Sequence, residues 1–191
     1  MSNVFVTCMC NVSECQQLCF ALCCSWGLTR APKHLVEELQ QKIRDNIDNA
    51  PMEGKINVIE TEMGARPLFI KNDELNAKIL KELKPMHEEW SGVELEGAIA
   101  YGLRLYQNNS RLLMHVDKSN THVISCILHI DRSEDAEPWP IVIEDFQGNT
   151  NEVYLANGDM LFYEVRGWDL KICCGLEIQY LYFACLSDLK N

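Results

Sequence analysis

Between Pro32 and Ile47 the apolar residues Leu35, Leu39, Ile43 and Ile47 return every four positions, with Val36 beside them and charged or polar residues elsewhere. That period keeps them on one side of a helix, so the segment is expected to be amphipathic and to pack its apolar stripe inward. Ala50, Pro51 and Gly54 close it, Ile56 to Glu60 reads as a short extended piece, and Ala65-Arg66-Pro67 forms a break. Asn72 or Asp73 can cap a second helix carrying Leu75, Ile79 and Leu83 on one face, expected to end or kink at Pro85.

From Gly97 the period changes to two. Runs rich in Ile, Val, Leu and Tyr suggest strands at Ala98 to Tyr106, Leu112 to Val116, His122 to Ile130, Ile141 to Asp145, Glu152 to Leu155 and Met160 to Glu164. Turn residues divide them, among them Asn108-Asn109-Ser110, Gln147-Gly148-Asn149 and Asn157-Gly158-Asp159. Leading helices followed by many short strands point to an α+β fold ending in a barrel or jelly roll. No internal repeat or low-complexity tract interrupts it.

Composition narrows the class. With 191 residues, 47% hydrophobic and 24% charged, the chain reads as one globular unit. A formal net charge of −11 repels a phosphate backbone, so nucleic acid is not an expected partner. Of ten cysteines, six crowd residues 8–24, three lie at 173, 174 and 185, and Cys126 stands alone between. A disulfide scaffold spreads its cysteines through the body it staples, so the pattern suggests a reduced domain with two foreign ends. The front cysteines lack paired Cys-x-x-Cys spacing, which argues against a zinc site. Leu18 to Cys24 is too short to span a bilayer, and no basic residue precedes it as a signal peptide requires. A soluble intracellular protein is expected, although sequons at Asn11 and Asn108 leave secretion open.

The candidate chemistry lies in Met114-His115-Val116-Asp117. Residues two apart on a strand point to the same side about 6 to 7 Å apart, so His115 and Asp117 can converge on one ion at a strand end. An imidazole and a carboxylate suit ferrous iron, and a second histidine would complete a facial triad with open positions. A His-x-Asp triplet alone is more often surface decoration.

The surrounding sequence adds weight. Ala100-Tyr101-Gly102-Leu103-Arg104-Leu105-Tyr106-Gln107 leads into Leu113-Met114-His115-Val116-Asp117, with His122-Val123-Ile124-Ser125 and Gly158-Asp159-Met160-Leu161-Phe162-Tyr163-Glu164 after it. Over about residues 70 to 164 this resembles the Fe(II)/2-oxoglutarate-dependent dioxygenases of the prolyl-4-hydroxylase-like kind. The resemblance implies a double-stranded β-helix (jelly roll) with His115 and Asp117 as iron ligands. It also places Tyr106 near the 2-oxoglutarate co-substrate, the alternative being a packed strand aromatic. It implies hydroxylation of a C–H bond in a peptide or small-molecule substrate, with ascorbate as an accessory reductant. His122 and His129 do not match the distal ligand position and are expected to make sheet or core hydrogen bonds. His34 and His87 are expected to be solvated, Cys126 buried and the Gly158 turn structural.

The resemblance stops after Glu164. The family places a second metal-binding histidine and then a basic residue for the distal carboxylate of 2-oxoglutarate beyond this point. Here no histidine follows His129, and Arg166 and Lys171 lack the expected context. Val165-Arg166 can encode a splice donor, which suggests read-through past an exon end. The expected layout is a poorly ordered leader at 1–30, a dioxygenase-like domain at 31–164 (helices 31–95, strands 97–164) and a non-homologous tail at 165–191. Such a β-helix would be incomplete, bind iron weakly and expose sheet edges for a partner chain. Ile178 to Leu186 is apolar enough to fill one vacancy as a substitute strand. Two functions follow: an impaired oxygenase, or a truncated, non-catalytic interaction module.

Overall fold

The computed structural model describes residues 25–54, 59–60, 66–107, 111–117, 122–134, 136, 138, 140–164, 171–174 and 179–188. The front cysteines, both sequons and the Val165-Arg166 junction lie outside them. Strand β1 (Trp26–Arg30) precedes helix α1 (Lys33–Asn46), and the short strands β2 (Ile59–Glu60) and β3 (Leu68–Ile70) precede helix α2 (Asp73–Ser91). Eight strands follow: β4 (Leu95–Leu105), β5 (Arg111–His115), β6 (Ile124–Arg132), β7 (Ile141–Glu144), β8 (Thr150–Val153), β9 (Asp159–Glu164), β10 (Lys171–Cys174) and β11 (Gln179–Asp188).

They form a six-stranded sheet in the order β1-β9-β6-β11-β4-β3 and a five-stranded sheet in the order β2-β5-β10-β7-β8. From β4 onward the chain passes between the sheets, with only β7 and β8 consecutive in one, and the ladders are antiparallel. This is a jelly roll, with the helices beside its larger sheet.

Strand alternation builds two cores. Ile124, Cys126, Leu128 and Ile130 of β6 join Met160 and Phe162 of β9 in a layer with Leu35, Leu39, Ile79 and Leu83 of the helices. Ile127, Leu161 and Tyr163 point the other way and meet Leu112, Ile141, Ile143 and Val153 of the smaller sheet. Covered on both faces, β6 is buried from Ile124 to Ile130, which explains its nearly unbroken apolar run. Cys126 is buried, as its apolar neighbours suggest.

Several features depart from the sequence reading. Helix α2 continues past Pro85 to Ser91. Beyond that proline Trp90 stacks on Phe162 at 5.3 Å and His87 meets the same ring edge-on at 4.8 Å, contacts that hold the last turns against the sheet. Gly92, at φ 72°, then ends the helix with its N–H on the Glu88 carbonyl. His87 is accordingly buried rather than solvated, whereas His34 is exposed and paired with Glu82. Trp26–Arg30, inside the segment expected as a leader, pairs with β9 along its whole length.

The residues expected as a tail supply β10, between β5 and β7, and β11, between β4 and β6. The suggested substitute strand at Ile178 to Leu186 corresponds to β11, placed within the larger sheet rather than at its edge. Among the described residues, no helix is long and apolar enough to cross a membrane.

Candidate functional site

His115 is the last residue of β5, and Asp117 follows where the strand has ended. His115 Nε2 stands 3.5 Å from Asp117 Oδ1, with the side chains 20% and 21% exposed. His115 Nδ1 donates to the Leu113 carbonyl at 2.8 Å, which turns Nε2 toward the carboxylate. In the neutral imidazole that nitrogen carries a lone pair facing an anion, an arrangement relieved by a second proton or a cation between them. Burial pushes the His115 pKa down, but Asp117 and the Leu113 carbonyl outweigh it and the pKa is raised. Burial pushes Asp117 up, yet hydrogen bonds from His115 and Tyr163 and the nearby His115 and His122 charges leave its pKa lowered. The Tyr163 hydroxyl donates to Asp117 Oδ2 at 2.8 Å and fixes the second carboxylate oxygen.

Two donors each about 2.1 Å from one ion, at angles of roughly 90 to 110°, stand about 3.0 to 3.4 Å apart. The separation of 3.5 Å therefore suits two neighbouring positions around a cation with little adjustment. A third protein donor does not join them: among the described residues, no three His, Cys, Asp or Glu side chains form a metal-holding group. On β10, the residue in register with His115 is Ile172.

Tyr106 is fully buried in the core between the sheets. Its hydroxyl lies 3.4 Å from Arg104 Nη1, and Arg104 Nε and Nη2 each donate at 2.7 Å to a different oxygen of Glu53. Burial opposes the Arg104 charge, but Tyr106 and Glu53 more than offset it and raise its pKa. His122 is buried and shares a 2.7 Å hydrogen bond with the Tyr101 hydroxyl, the ordinary role expected of it. His129 differs from expectation: it is fully buried, and among the described residues neither ring nitrogen has a hydrogen-bond partner. Burial, reinforced by Arg132, lowers its pKa to about 4 despite the pull of the Asp159 and Asp131 carboxylates. The Gly158 turn is tied by Arg30, which donates to Asp159 and to the Asn157 carbonyl.

Sequence reading singled out His115, Asp117 and Tyr106, and the fold puts the first two side by side with Tyr106 deeper between the sheets. It passed over Tyr163, Arg104 and Glu53. The signal for Arg104 was a lone charge between Leu103 and Leu105 in an apolar strand. Glu53 lies in a loop 51 residues away and carried no comparable signal.

No protein-family model matches the sequence, and no curated protein does. Solved structures match the fold. A Pseudomonas putida prolyl-4-hydroxylase superposes with a TM-score of 0.63 at 12% identity, over 87% of this chain and 94% of that one. A Trichoplax adhaerens prolyl hydroxylase, solved with a peptide fragment of the hypoxia-inducible-factor oxygen degradation domain, gives 0.63 at 9% identity, over 86% and 84%. A non-haem α-ketoglutarate-dependent epimerase of nogalamycin biosynthesis gives 0.65 at 12% identity, over 86% and 78%. The chain has the jelly-roll fold of the prolyl-4-hydroxylase-like 2-oxoglutarate/Fe(II) oxygenases.

Proposed function

We propose that this chain is a protein of the Fe(II)/2-oxoglutarate oxygenase type whose His115 and Asp117 are its metal donors, with oxidative activity impaired by the want of a third. The observation that supports this most is the 3.5 Å approach of His115 Nε2 to Asp117 Oδ1 at the end of β5 in this fold. What is wanting is a donor rather than a strand: β10 runs beside β5, but Ile172, which offers no metal-binding atom, is in register with His115. No histidine follows His129 anywhere in the sequence.

When bound, Fe(II) with 2-oxoglutarate would supply oxidation of a substrate C–H bond. The chain's own residues hold the place for it. The Leu113 carbonyl fixes the His115 tautomer and aims Nε2, and Tyr163 orients Asp117 through a hydrogen bond. The lowered pKa keeps Asp117 ionised, the form in which a carboxylate binds a cation. Tyr106, buried in the core between the sheets, would lie near the co-substrate. The substrate is a peptide or small molecule, with ascorbate as accessory reductant; neighbours of the same fold include both a peptide-bound hydroxylase and an epimerase.

Purified protein is expected to bind one Mn(II), read by electron paramagnetic resonance, with His115→Ala at least tenfold weaker. Turnover of 2-oxoglutarate with Fe(II) and ascorbate should be far below that of an enzyme with a full donor set. A second reading, a non-catalytic module docking a partner at a sheet edge, draws on β8, which pairs with β7 at the end of its sheet, beside the 56% exposed Tyr154. Metal-free protein that co-purifies with one partner chain would favour it.

A further inference from the structure

Arg104 lies between Leu103 and Leu105, both of which pack in the helix-side layer. Alternation therefore turns Arg104 toward the other face of the sheet, where its Nη1 approaches the hydroxyl of Tyr106, itself in the inter-sheet core. Tyr163 belongs to the same core and holds Asp117, so the guanidinium and the His115–Asp117 pair border one interior. A planar guanidinium fork matches a carboxylate bidentately, and that geometry is present: Glu53 takes Nε and Nη2 at 2.7 Å each.

The Glu53 carboxylate is not part of the jelly-roll framework. It comes from the stretch after α1, where the Glu53 N–H donates to the Pro67 carbonyl at 2.7 Å and its own carbonyl accepts from Arg66 at 3.0 Å. β11, the strand beside Arg104, has Leu181 in register with it and carries no Lys or Arg. A cation facing the interior is thus supplied from β4, and the anion on it is borrowed from a loop.

We propose that Arg104 is a carboxylate-binding residue of the barrel interior and that Glu53 is its built-in competitor, so that a small dicarboxylate enters by displacing the Glu53 carboxylate. For the natural ligand, 2-oxoglutarate, this rests on the oxygenase reading above. The binding step itself needs no metal.

Glutarate, which has both carboxylates and no keto group to chelate a metal, is the probe, titrated calorimetrically without metal. Glu53→Gln keeps the shape and removes the competing charge; it is expected to bind glutarate about tenfold more tightly than the unaltered chain. The double variant Glu53→Gln/Arg104→Met removes both charges, leaves no stranded carboxylate, and is expected to lose that gain. Glu53→Gln/Arg104→Lys keeps the charge without the fork and is expected about tenfold weaker than Glu53→Gln. Equal affinity in Glu53→Gln and the unaltered chain, or full affinity in either double variant, overturns the proposal. Mn(II) binding is scored separately: bound Mn(II) with an inert Glu53→Gln defeats the Arg104 inference alone, and the glutarate pattern without Mn(II) defeats the metal reading alone.

Discussion

At Asp117 a single carboxylate faces an imidazole on one oxygen and a phenol on the other, and each contact keeps it charged. Tyr163→Phe removes the donor to Oδ2 and should cost about 1 to 2 kcal/mol in urea unfolding while weakening Mn(II) binding; a variant unchanged in both would show the contact to be idle. His87 titrates in the opposite sense from His115. Burial lowers its pKa to about 4, with the Leu83 carbonyl pulling weakly against it, so the unfolded chain binds the proton more readily. Its contribution is present above about pH 6.5 and is lost as pH falls toward 4, up to about 3 kcal/mol. His129 has the same sign. His87→Phe should therefore flatten the fall in melting temperature between pH 6.5 and 4, and an unaltered slope would refute the assignment. At this scale the approach of His115 to Asp117 was legible because the motif is local. Tyr163 and Glu53 reach the interior only through tertiary structure, and His87 was misread because Pro85 marks a break that its own packing overrides.

Helices α1 and α2 were legible in their four-residue period, since one apolar face each is all that the larger sheet requires. The strands from β4 to β9 followed from alternation and turn residues, with ends displaced by a few positions. β1 and β10 escaped notice because runs of five and four residues carry too little pattern to mark a strand. Strand β3 approaches β4 closely at one glycine. Gly102 lies at φ 119°, and a Cβ there would meet the Ile70 carbonyl oxygen at 2.8 Å and the Phe69 ring at 3.3 Å. Gly102→Ala should cost about 2 kcal/mol or more in urea unfolding, from backbone strain and the clash together. A midpoint within error of the unaltered chain would mean the approach is not as close as described.

For the molecule as a whole, the position of β11 matters most. It joins β4-β3 to β6-β9-β1, so removing residues 165–191 divides the larger sheet and strips β4 and β6 of a ladder each. A chain ending at Glu164 should aggregate or fail to give a cooperative thermal transition; a soluble, cooperatively melting product would show the last strands to be dispensable. The dioxygenase-like fold was legible because its motif lies on consecutive strands. That β10 and β11 lie within the sheets was not, since they pair with strands 27 to 93 residues back along the chain rather than following a local pattern. The fold does not by itself hold a metal, and the account turns on whether His115 and Asp117 do. Mn(II) titration of the unaltered chain beside His115→Ala and Asp117→Ala, followed by electron paramagnetic resonance, reads that directly. One bound ion weakened at least tenfold by either substitution is the predicted result; no bound ion, or one indifferent to both substitutions, would contradict it.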